Sequence, residues 1–291
     1  MAPSSPHLPA PPITADLHAH TSYSHGLAGT GEMFEAACRA GLTVFGFAEH
    51  SPRPPGYVYP RDYQEALARS LPDYVAEVLA LKERGRERGV TVLLGLELDY
   101  FPDREDFAAE VARSYPFDYI IGGLHFQGAW GFDFDPADWE PMGREERFAA
   151  YERYYRDLAS MCRSGLFTIA AHPDLIKIFT PETFRDWLGT KSALPLIREA
   201  LEALSRAGML LEVSSAGLRR PCREIHPGPE IMRLARDLDV SVCFASDAHS
   251  IDHPAYAFDA LAAYAGGFGY RESFISVRGR LSSIPFRPGL S

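Results

Sequence analysis

From Ile13 onward, short apolar runs recur along this chain, and longer stretches with apolar positions at helical spacing separate them. The runs predict strands at 13–17, 44–48, 92–96, 119–124, 167–171, 209–213 and 241–245, with a weaker segment at 273–277. The amphipathic stretches predict helices at 32–40, 63–88, 104–114, 144–164, 193–207, 229–238 and 255–265. Gly41, Gly89, Gly165 and Gly208 each stand between a helix and the next apolar run. Glycine accepts the left-handed conformation that closes a helix, so these four mark helix ends.

Strand and helix in regular alternation predict an α/β fold with a parallel sheet. The sheet is either an open doubly wound one or a closed barrel. Composition sets the scale: 291 residues, 46% of them hydrophobic, suffice for one large core. Residues 13–291 are therefore expected to form one domain, and the proline-rich segment 1–12, with His7 in it, a disordered extension. The segment 51–60, SPRPPGYVYP, reads as a long functional loop.

Charge and cysteines narrow the partners. With 29 Lys and Arg against 39 Asp and Glu, the net charge of −10 disfavours long nucleic acids. Cys38, Cys162, Cys222 and Cys243 form no paired motif and read as reduced thiols of a cytoplasmic protein. No apolar run approaches the roughly 20 residues that span a bilayer, and the N-terminus lacks the charged and apolar segments of a secretory signal. Oligomeric state has no signature in the sequence.

The chemistry lies at the strand ends. His18, His20, His25, His50, Glu97, His125, His172, Asp247 and His249 all fall just past predicted strands. A barrel collects its reacting groups at the C-terminal ends of its strands, and six of seven ends carrying such residues favour the barrel over the open sheet. His18-Ala19-His20 and Asp247-Ala248-His249 put side chains two apart, on one face of an extended segment. The first and last strands of a closing barrel would bring those pairs together. Nine nitrogen and oxygen ligands without cysteine suit Zn, Mn or Fe, and they are too many for one ion.

The segments DLHAHTSYSHG, FAEHSP, GLELDY, GGLHF, AAHPDLIK and FASDAH resemble, in order, the motifs of the polymerase and histidinol phosphatase (PHP) superfamily, particularly its monofunctional histidinol-phosphatase branch. The likeness runs from Ile13 to about Pro254. It implies a distorted (β/α)7 TIM-like barrel with three divalent metal ions. By that resemblance, His18, His20, Glu97 and Asp247 would hold one ion, and Glu97, His125 and His172 a second. His25, His50 and His249 would hold the third. Glu97, Asp247 and His249 are the ligands expected to act in catalysis.

Three cations would make an electropositive pocket in an acidic protein, suited to a phosphate dianion. A hydroxide bridging two of them would attack phosphorus, so hydrolysis of a phosphomonoester is expected. The resemblance points to L-histidinol phosphate as substrate, in L-histidine biosynthesis. Arg219, in the AGLRRP loop, Lys177 and Arg53 are the expected substrate ligands, with Arg220 solvated. Asp16 would orient an imidazole, while Glu49 and Glu212 would point away from the site. His226 would either recognise the substrate's imidazole or occupy a loop, and His253 would sit in an exposed turn. The competing readings are a PHP phosphoesterase acting on nucleotides or nucleic-acid ends, a C–N hydrolase of the amidohydrolase type, and a non-catalytic zinc module. No basic cluster, carbamylated-lysine position or lost ligand supports any of these.

Overall fold

The computed structural model describes residues 11–57 and 64–288. Seven parallel strands form one sheet in chain order: Ala15–Asp16, Val44–His50, Thr91–Asp99, Tyr119–Gly123, Ile169–Ala170, Leu210–Ser214 and Val242–Ala245. The sheet curls until its edges meet. Ala19 and Ala248 form a parallel bridge, and Leu17 N–H donates to the Phe244 carbonyl at 3.2 Å. The result is an α/β barrel, nearly closed, as the strand-end argument required.

All seven predicted helices are present, within a few residues of the expected bounds, and Gly41, Gly89, Gly165 and Gly208 have φ between 66° and 76°. Besides short two-stranded and 3-10 segments, two longer elements lie outside the expected set. The helix Pro181–Leu188 buries Phe184 and Trp187, three residues apart, behind a proline in its first turn. The strand Arg280–Pro285 returns antiparallel against Glu272–Val277. Its solvent-facing residues break the apolar pattern that marked the other strands.

Alternate strand residues serve two cores. Phe45, Phe47, Leu94 and Leu96 face the helices, whereas Val44, Ala48, Leu93 and Ile121 fill the barrel. The Tyr119 ring crosses the interior and its hydroxyl donates to the carbonyls of Leu17, at 2.7 Å, and Phe47. Gly46 and Gly95 leave the space, since a Cβ at either would meet the Tyr119 ring. Phe274, Ile275, Val277 and Ile284 of the C-terminal hairpin pack on this inner cluster, and Arg278 N–H donates to the Asp118 carbonyl just before the fourth strand. The hairpin therefore covers the N-terminal mouth.

The segment expected as an extension lies outside the described residues up to residue 10, His7 included. Pro12 is tied down, because its carbonyl accepts from Arg287 N–H at 3.0 Å. Among the described residues, no helix is long and apolar enough to cross a membrane. The four cysteines are free.

Candidate metal centre

Strand register assembles the site at the C-terminal mouth. His50 and Glu97 are direct partners across the second and third strands. The bridge between Ala19 and Ala248 sets His18 and His20 beside Asp247 and His249. His20 N–H donates to the Ala248 carbonyl at 2.8 Å and Ala248 N–H to that of His18 at 3.1 Å. Two of the converging residues hold unfavourable backbone: His172 has φ 23° and Asp247 φ 50°. Non-glycine residues rest there only when their surroundings hold them.

Eight of the nine predicted residues fall into three groups whose ligand atoms lie within 4.8 Å of one another: His18, His20 and Asp247; Glu97, His125 and His172; His20, His50 and His249. Glu97 lies among them all. Its Oε2 is 3.0 Å from His50 Nδ1 and 3.4 Å from both His18 Nε2 and His20 Nε2, while Oε1 is 3.1 Å from His172 Nε2. His25 stands at the rim, its ring centroid 4.9 Å from that of His50 and 4.5 Å from that of His249. It belongs to none of the three tight groups.

These donors fit metal ions. His18 Nε2 and His20 Nε2 approach to 3.1 Å, and the buried His249 Nε2 has no hydrogen-bond partner. A lone pair buried without a partner is costly unless a cation takes it. Burial opposes ionisation of Glu97, yet His18, His50 and His125 hold its carboxyl well below the usual range. Asp247 is likewise held low against its burial, chiefly by His249 and His18. Burial disfavours charge on His20, but the Asp247 and Glu49 carboxylates, which accept from its ring, raise its pKa to about 9. His125 reaches about 9 against its burial through Asp99 and Glu97.

A set of carboxylates fixes the imidazoles from behind. Glu212 Oε2 is 2.8 Å from His18 Nδ1, and Asp99 Oδ1 bonds His125 Nδ1. Such partners set the tautomer and orientation of a ligating histidine. Glu212 thus points into the barrel, not toward the helices. It shares the inward phase of Leu210, which the MLLEV run does not disclose, because its residues on both sides of Glu212 are apolar. Glu49 accepts from Thr21 N–H and hydroxyl and lies 3.7 Å from His20 Nδ1. Asp16 orients no imidazole. It accepts from Ser246 N–H, Ser246 hydroxyl and Ala255 N–H at 2.6–3.0 Å and locks the first strand to the seventh.

The cations expected on substrate have internal partners. Lys177 is 1% exposed, and Nζ contacts Asp174 at 2.7 Å and Glu224 at 2.8 Å. Arg53 pairs in the interior with Asp99 at 2.5 Å. Neither is in the wall of the mouth's cavity, which encloses about 410 Å³. Arg219 donates to the carbonyls of Ser246 and Asp247 and to His253 Nδ1 at 2.7 Å. Arg220 is exposed, as expected, and also lines the cavity. His253 accepts from both Arg219 and His249 N–H and so is a brace within its turn. His226 is fully buried in the cavity wall, with Nδ1 held by Asp174 Oδ1 at 2.5 Å. Sequence reasoning passed over Asp99 and Asp174. The spacing of Glu97 and Asp99 on one strand face was the available signal for the first.

Comparison with known proteins agrees with this geometry. The model of the PHP domain family matches residues 16–216. A Deinococcus radiodurans protein named probable histidinol-phosphatase is 33% identical over 245 residues, covering 84% of this chain and 89% of that one. A Lactococcus lactis histidinol phosphate phosphatase, solved with Zn, L-histidinol and phosphate, superposes with a TM-score of 0.72 at 18% identity, over 92% of this chain and 98% of that one. A Listeria monocytogenes structure described as a candidate histidinol phosphatase gives 0.72 at 22% identity, over 84% and 99%.

Proposed function

This chain belongs to the PHP domain family, and from that premise we propose that it is a metal-dependent histidinol-phosphatase, hydrolysing L-histidinol phosphate to L-histidinol and phosphate in L-histidine biosynthesis. The observation that carries the reading is the convergence of three ligand groups on one cavity that also presents a guanidinium, Arg220. Phosphate monoester chemistry needs concentrated positive charge around a bound dianion, and this cavity is arranged for it.

Three divalent ions, drawn from Zn, Mn and Fe, are held by His18, His20, His25, His50, Glu97, His125, His172, Asp247 and His249. When bound, they supply the positive charge that makes phosphorus electrophilic and water nucleophilic near neutral pH. The protein's part is positional. Glu97 is shared among ligand groups, while Asp247 and His249 carry the last strand's ligands to the reacting end. Glu212 and Asp99 keep the nitrogens of His18 and His125 aimed inward. Arg220 faces the phosphate, and Arg219 steadies the carbonyls of Ser246 and Asp247 beside the ligands. Lys177 and Arg53 brace the scaffold. Residues 13–291 work as one PHP barrel unit in the cytoplasm.

The test is phosphate release from L-histidinol phosphate, AMP and 4-nitrophenyl phosphate after reconstitution with Mn, Zn or Fe. Strong preference for the first, abolished in Glu97→Ala, is expected. Preference for AMP would instead retain the metal site and reject the substrate.

A further inference from the structure

The segment 215–228 joins the sixth strand to the helix Pro229–Asp237 and carries Arg220 to the cavity. It is a loop closed at its base. Ser214 and His226 form an antiparallel bridge there, with Ser214 N–H donating to the His226 carbonyl at 2.7 Å and His226 N–H to that of Ser214 at 3.1 Å. Above the base, the turn Ala216–Arg219 folds against the returning limb. A Cβ at Gly217 would lie 2.1 Å from the Glu224 carbonyl oxygen and 2.7 Å from His226 Nε2. With the two limbs in such contact, a shift at His226 is passed on to the turn that leads into Arg220.

Arg220 takes its direction from that backbone. Its side chain is exposed and, among the described residues, has neither a hydrogen bond nor an ion pair, whereas the Arg219 guanidinium is fixed by two carbonyls and His253. The loop in turn is fixed from the segment after the fifth strand. Asp174 accepts from His226 Nδ1 at 2.5 Å and from Gly228 N–H at 2.7 Å, and Lys177 spans Asp174 and Glu224 at 2.7 and 2.8 Å. Asp174, Lys177 and His226 are buried, so water does not compete for these bonds. The other ring nitrogen of His226 lies 4.0 Å from the Cys222 sulfur, within the same loop. Both nitrogens are thus engaged inside the protein.

A guanidinium grips phosphate through paired N–H donors, and a misplacement of about 1 Å in such a group can cost on the order of a hundredfold. We infer that His226 is a positioning residue: clamped by Asp174, it sets the loop that aims Arg220 at the phosphate, and it does not itself touch the substrate. This rests on the phosphatase reading above and adds the pair of residues that places the guanidinium.

Binding of inorganic phosphate to the metal-loaded full chain, measured by calorimetry, tests this without reference to any ester. Arg220→Ala should raise the Kd about 30-fold, and His226→Leu, which removes the bond to Asp174, about 10-fold. The double variant should bind no worse than Arg220→Ala alone, whereas independent effects would multiply to about 300-fold. His226→Asn puts an amide nitrogen on Cγ in the place of Nδ1 and should recover affinity to within about threefold of wild type. His226→Gln, polar but without that nitrogen, should match His226→Leu, and it takes that variant's place in the cycle if the leucine chain does not fold. Metal content by elemental analysis should be the same throughout. Losses that multiply, metal that falls with His226→Leu, His226→Asn no better than His226→Leu, or Arg220→Ala binding like wild type each overturns the inference. The expected pattern in a protein that does not hydrolyse L-histidinol phosphate rejects that substrate and leaves the positioning role standing.

Discussion

The two mouths of this barrel are made from the same strands and differ in almost every other respect. At the N-terminal mouth, Leu93, Tyr119, Ile169, Leu210 and Cys243 pack under a hairpin that shuts out water. At the C-terminal mouth, the inward positions further along these strands carry Glu97, Asp99, His125 and Glu212. On the third strand the change takes six residues: Leu93 packs, Gly95 makes room for Tyr119, Glu97 meets the histidines and Asp99 orients one of them. One end is optimised for packing. The other concentrates buried charge and strained backbone, at His172 and Asp247, on the rigidity of the first.

The comparison is tested most severely at Glu97. Glu97→Ala removes the carboxylate that all three ligand groups approach, so activity should fall by about a thousandfold or more. Bound metal, measured by elemental analysis, should fall with it. The circular dichroism spectrum of the metal-free protein should stay native, because the opposite mouth is untouched. Loss of that spectrum would show that the metal end also carries the fold.

Lys177 sharpens the boundary between chemistry and scaffold. Its ammonium is buried between Asp174 and Glu224, and Asp174 also holds His226 and Gly228 N–H. Lys177→Met leaves those carboxylates short of a cation and should cost about 3 kcal/mol in denaturant unfolding. A variant of normal stability with a raised KM would return Lys177 to the substrate.

The sequence made the seven strands legible because a parallel strand buried on both faces reads as a continuous apolar run, and the glycines punctuated them. The same property hid the phase. In MLLEV nothing alternates, so the inward direction of Glu212 appears only when Leu210 is seen inside the barrel. The candidate ligands were visible through type and position, since histidines and carboxylates stood just past strands. The cations were not, because an arginine or lysine in a loop carries no mark of its partner. Arg219 and Arg220 are adjacent, yet one grips carbonyls and the other lines the cavity.

The carboxylates behind the ligands should give intermediate effects. Asp99→Asn and Glu212→Gln keep the volume of each side chain and remove its charge, so His125 and His18 lose a fixed orientation. Metal affinity, from competition with a chelator, should weaken about 10- to 100-fold, or about 1.4–2.7 kcal/mol. Unchanged affinity in both would make these carboxylates structural only.

The smallest effect belongs to the plugged mouth. Ile275 packs on the inner cluster from the hairpin and is only partly buried, so Ile275→Ala should cost about 1 kcal/mol, below the range for a fully enclosed side chain. For a chain of this length that lowers Tm by about 2 °C. Activity per folded molecule, and metal content, should not move, since the Tyr119 layer separates the hairpin from Glu97. Loss of metal at a temperature where the variant is folded would mean that the layer transmits strain, and the two mouths would then be one cooperative site.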